Sequence, residues 1–162
     1  MRKLAGALLL VATFATTADA QEVTTALSIS SVGSGSGNGP YPSAEFRASL
    51  PTSERFAVEP FVTLGSKHRP APGLEGFYGV QIRQRIAHLT SRESYVFATY
   101  GVSAYYWESG SEAPVIGQIG FGVRHRTSRY VAIRSDVQVL TWAYYPLGAR
   151  FSLGLALGRE RP

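Results

Sequence analysis

The strongest constraint in this chain is a period of two. Between Tyr130 and Leu140 the sequence reads YVAIRSDVQVL, with Val131, Ile133, Val137 and Val139 alternating against Arg134, Asp136 and Gln138. In an extended strand successive side chains point to opposite faces, so the two sets lie on opposite sides. A slip of one residue would exchange them, which makes the register strongly specified wherever one face is dry. The pattern does not say which face that is.

Comparable runs recur about eight times, bounded by Gly, Pro, Ser or Asn: Val23 to Ser31, Ala44 to Leu50, Phe56 to Leu64, Phe77 to Ile86, Tyr95 to Trp107, Val115 to Arg126, Tyr130 to Leu140 and Arg150 to Leu157. No segment carries helical spacing. Several runs approach the roughly 9–11 residues that a tilted strand needs to cross a bilayer. The connections tend to alternate long and short. Gly33 to Ser43 and Gly65 to Gly76 are the long ones, whereas Pro51 to Glu54 and Thr127 to Arg129 are tight. That rhythm is expected of an up-and-down barrel with long loops at one end and short turns at the other.

The first twenty residues set the compartment. Arg2 and Lys3 precede an apolar run from Leu4 to Ala15, and Ala18-Asp19-Ala20 places small residues before a cleavage point at Gln21. Residues 1–20 read as a secretory signal peptide, 21–158 as one β-barrel domain and 159–162 as a short tail. About 140 residues suit a single domain. No cysteine occurs anywhere, so neither a disulfide framework nor a lipidated cysteine is available.

Two readings fit an exported all-β chain. In a membrane barrel the apolar faces meet lipid and the polar faces line a lumen. In a soluble periplasmic or secreted barrel the apolar faces turn inward and bind an apolar ligand. Three features favour the membrane. Gly, Ser, Thr and Gln sit between the charges of the polar faces, as a narrow interior requires. Lysine, which a solvated surface uses freely, is limited to Lys67 beyond the leader. Aromatic residues gather at strand ends, with Tyr78, Tyr106, Trp107, Trp142, Tyr144 and Tyr145 expected at one interface and Phe56, Tyr95 and Tyr130 toward the other. Glu45, Arg47, Glu59, Arg83, Arg85, Arg124, Arg134, Asp136 and Arg150 then fall on polar faces and form an expected lumen charge network, with Tyr105 and Gln138 as hydrogen-bonding fillers.

The span Val115 to Leu157, with IGQIGFGVRHRTSRYVAIRSDVQVL followed by ARFSLGLAL, resembles the last three strands of small OmpA/OmpX-like outer-membrane β-barrel domains. The resemblance implies an eight-stranded antiparallel up-and-down barrel in the bacterial outer membrane. Its partners would be membrane lipid or lipopolysaccharide, with a surface ligand or protein at the outer loops. Pro60 departs from a regular barrel strand, since it removes a ladder donor and calls for a bulge or an imperfect closure.

Nothing in the sequence points to chemistry. The histidines, His68, His88 and His125, stand far apart with no metal-ligand spacing, and no catalytic, cofactor-binding or metal residue is expected. Asp136 is the only aspartate beyond the leader, and no nucleophile turn supports a serine triad. The high pI of about 9.7 comes from dispersed arginines rather than a patch, which argues against nucleic acid.

Overall fold

A computed structural model describes residues 22–32, 40–67, 73–107, 115–142 and 145–158. The expected signal peptide and the tail at 159–162 lie outside the described residues. Eight strands follow one another: β1 (Glu22–Val32), β2 (Tyr41–Pro51), β3 (Phe56–Lys67), β4 (Gly73–Ser91), β5 (Ser94–Trp107), β6 (Val115–Arg126), β7 (Val131–Trp142) and β8 (Tyr145–Gly158). Each pairs antiparallel with its neighbours, and β8 returns to β1 to close the barrel.

Closure fixes a stagger. From Thr24, hydrogen-bonded partners lead one way through Arg47, Phe61, Gly79 and Ser103 to Ile116 on β6. The other way they lead through Ala156 and Ala132 to Arg126, ten residues further along the same strand. A stagger of that size tilts the strands by about 35–45° and leaves an interior that side chains just fill.

The strands are longer than their alternation indicates. The segment expected as a loop over Gly65 to Gly76 is mostly strand, because β3 runs to Lys67 and β4 starts at Gly73, leaving only 68–72 between them. Likewise β4 continues past Ile86 to Ser91, so His88 lies in a strand. A register shift between Arg85 and Ala87 explains the lost alternation there: Ile86 is an extra residue, and the ladder resumes one step out of phase.

Pro60 does not open the barrel. It pairs with Val80 on β4, and on the other side the β2–β3 ladder is interrupted between Arg47↔Phe61 and Leu50↔Val58 without any change of register. The gap is confined to the missing donor, and the Ser49 hydroxyl donates across it to Glu59 Oε1 at 2.6 Å.

The two faces separate cleanly. Leu27, Ile119, Phe121, Ile133, Val137 and Leu153 are exposed on the outside, whereas Arg47, Arg124, Arg134, Arg150, Glu45 and Glu59 are buried within. On β7, Arg134, Asp136 and Gln138 are buried while Ile133, Val137 and Val139 are exposed. The soluble reading required apolar faces turned inward around a ligand, and the structure turns them outward.

Tight packing inside depends on absent side chains. A Cβ on Gly122 would lie 2.4 Å from Phe97 Cζ, 2.5 Å from the Ser135 carbonyl oxygen and 2.6 Å from Asp136 Cβ. Backbone cannot yield there cheaply, so Gly122→Ala is expected to destabilise the barrel by about 1–3 kcal/mol, read as a lower urea midpoint in lipid vesicles. An unchanged midpoint would show that the interior is looser than these distances imply.

Candidate functional site: the charged lumen

The lumen holds one connected network of arginines and carboxylates. Glu59, on β3, is the most heavily bonded acid. Arg134 Nη1 and Nη2 donate to its two oxygens at 2.8 Å each, and Arg83 Nε lies 3.2 Å from Oε1. Ser49 bonds the same carboxylate, and Gln81 Nε2 donates to Oε2 at 2.8 Å. Asp136, on β7, takes a second forked pair from Arg47, at 2.8 and 3.0 Å, with Arg134 Nε 3.4 Å away. Paired N–H donors matching a carboxylate's two oxygens are the strong geometry for such ions.

Glu45, two residues before Arg47 on β2 and so on the same face, accepts from Arg47 Nε. It also faces Arg150 Nε at 3.6 Å and accepts from the Ser152 hydroxyl at 3.3 Å. Arg150 and Gln81 meet through two glutamines. Arg150 Nη2 donates to Gln138 Oε1 and, at 3.3 Å, to Gln118 Oε1. The two glutamine amides donate in turn to Gln81 Oε1, at 3.1 and 3.4 Å. The chain of bonds thus runs through six of the eight strands, β2, β3, β4, β6, β7 and β8.

Toward the short-turn end, Arg124 donates through Nε and Nη2 to Glu22 on β1. Arg83 Nη1 lies 4.0 Å from the same carboxylate and donates to the Tyr95 hydroxyl. The guanidiniums of Arg83, Arg85 and Arg124 stand 5.4, 4.3 and 5.6 Å from the Tyr95 ring centroid. Above the network, toward the strand ends joined by 68–72 and 108–114, Phe61, Phe77, Ile116 and Leu140 form a buried apolar cluster. Arg150 lies 4.9 Å from the Phe61 ring, which ties the charged layer to the apolar one.

Eight of the nine residues expected in the lumen are buried there, and the ninth, Arg85, is half-buried against Tyr95. Two members escaped the sequence reading. Glu22 shares the face of Thr24 and Ser28, but the strand was begun one residue too late to include it. Tyr95, expected at an interface, is fully buried inside. Its strand is aromatic on both faces, so alternation carried no signal there. With Glu22 included, five fully buried arginines face four acids rather than six facing three.

Among the interface aromatics, Tyr78 is half-buried, on the outer face beside Val62 and Ala104. Tyr106, Trp107, Trp142 and Tyr145 occupy strand ends opposite the short turns, and their side chains, like that of Tyr105, lie outside the described residues. Tyr144 also lies outside them. At the short-turn end Phe56 and Tyr130 are exposed, 42% and 55%. His125 is exposed at the end of β6, and His68 lies outside the described residues.

A closed antiparallel barrel with charge inside and hydrocarbon side chains outside is a transmembrane β-barrel. No protein-family model matches the chain, and no curated protein does. Among solved structures it is similar to the crystal structure of Neisserial surface protein A, at 11% identity and a TM-score of 0.63, covering 85% of this chain and 96% of that one. The outer membrane protein Ail of Yersinia pestis, determined in a phospholipid bilayer nanodisc, also matches at 11% identity, with a TM-score of 0.46 over 83% of this chain and 97% of that one. The first likeness shows a shared fold, the one expected from the β6–β8 sequence.

Proposed function

We propose that the protein is a small integral outer-membrane barrel whose role is structural or interactive rather than catalytic. The observation that carries this reading is the inverted polarity, with an interior of interlinked arginines and carboxylates inside an apolar belt. Strands are one of the two ways a backbone satisfies its own hydrogen bonds in hydrocarbon, and closure leaves no exposed edge. The segments at 33–39, 68–72, 108–114 and 143–144 connect the strand ends on one side. A surface ligand or protein would be met on that side of the barrel, and membrane lipid or lipopolysaccharide would surround the belt.

Fractionation tests the placement. The protein is expected to co-sediment with outer membranes and to migrate faster on a gel before boiling than after. A soluble pool with no heat-dependent shift would overturn the reading.

The same reading makes the lumen a sealed strut rather than a channel. The apolar cluster of Phe61, Phe77, Ile116 and Leu140 covers the ionic layer, and the ions beneath are held by one another. Liposomes containing the barrel are expected to swell in small sugars no faster than empty liposomes. Swelling at a general porin's rate would count against it.

A further inference from the structure

The short-turn rim is more basic than the other end of the barrel. Arg55, Arg92 and Arg129 are exposed, one in each of the three short turns, with Glu54 as the exposed acid among the described residues there. The nearby Arg126 is already paired with Glu93 at 3.2 Å. By sequence, the four connections on the opposite side contain Arg69 against Glu108 and Glu112, so the sign of the charge reverses between the ends.

Two of these turns also set an arginine beside an exposed aromatic residue. Arg55 precedes Phe56, 42% exposed, and Arg129 lies 5.3 Å from the ring of Tyr130, 55% exposed. Arg92, in the third turn, comes three residues after Leu89, 49% exposed. Two of the turns are closed by backbone bonds, Thr52 and Ser53 N–H to the Phe56 carbonyl and Thr127 and Ser128 N–H to the Val131 carbonyl. Exposed aromatic groups at the barrel end with exposed guanidiniums beside them match the composition of a phospholipid interface.

From this arrangement we propose that the short-turn rim is a docking surface for the phosphate head groups of anionic phospholipid in the leaflet it touches. The inference rests on the membrane-barrel reading. An arginine held at an anionic surface strengthens association about fivefold, and the effect fades with salt.

Spin-labelled phosphatidylglycerol and phosphatidylcholine with identical chains, added to vesicles containing the folded barrel, measure the preference directly. Electron spin resonance is expected to report about fivefold or greater selectivity for phosphatidylglycerol at low salt, falling toward unity in high salt. The variant R55Q/R92Q/R129Q, its fold verified by the heat-dependent gel shift, is expected to lose that selectivity. Equal selectivity for the two lipids in the native protein, or undiminished selectivity in the variant, would overturn the docking surface. Absence of motion-restricted lipid of either kind would instead overturn the membrane barrel and the inference with it.

Discussion

Glu59→Ala is expected to destabilise the barrel by about 3–5 kcal/mol, the cost of leaving buried charge without its partner. The carboxylate is fully buried and receives both terminal nitrogens of Arg134 at 2.8 Å, with Arg83 Nε at 3.2 Å. Removing it takes from Arg134 its forked partner, takes from Arg83 its nearest carboxylate, and leaves the Ser49 hydroxyl and the Gln81 amide without their acceptor. Urea unfolding in vesicles, followed by tryptophan fluorescence, measures the change. The double variant E59L/R134M is the informative control. Replacing both members of a buried pair by apolar groups is often close to neutral, so it is expected to recover much of the loss. A Glu59→Ala variant as stable as the native protein would mean that the lumen is wet and the network is not structurally important.

Val137→Arg carries the second large effect, on the opposite face of the same region. Val137 is 51% exposed near the middle of β7, between Phe121 and Phe151 on the flanking strands. In a bilayer an arginine at that depth costs about 2–4 kcal/mol, falling to about 0–1 near the interface. Leu157, beside Val23 and Val131 at the short-turn end, is the matched interfacial position. Leu157→Arg is therefore expected to be nearly silent where Val137→Arg is severe. The ordering separates lipid from water as the surrounding medium. At a water-exposed site the two substitutions would cost the same small amount, and such a result would contradict the membrane reading.

The alternation on β7 made its two faces legible, because one strand with charges at every second position admits only one sorting of its side chains. The same logic reached Glu45 and Arg47 on β2 and Arg83 on β4. It failed where the period broke. Past Arg85 the extra residue Ile86 shifts the phase, and the sequence there reads as a connection although it is strand. On β5, Tyr95 and Phe97 point inward while Tyr100 and Val102 point outward, so residue type does not mark the face. Pro60 looked like a threat to closure because sequence counts donors. Only the register reveals that its missing donor costs one gap in a single ladder.

By itself the sequence determined that the chain is all-β, that its strands are two-faced and that its charges gather on one face. These are local properties, set by the alternation of side chains along an extended backbone. Which face is wet, and which ions meet, depended on closure. Arg134 and Glu59 are 75 positions apart and Arg47 and Asp136 are 89, and no local pattern pairs them. The ten-residue stagger brings their strands to one level around a common axis, and the geometry of the closed barrel then selects the partners.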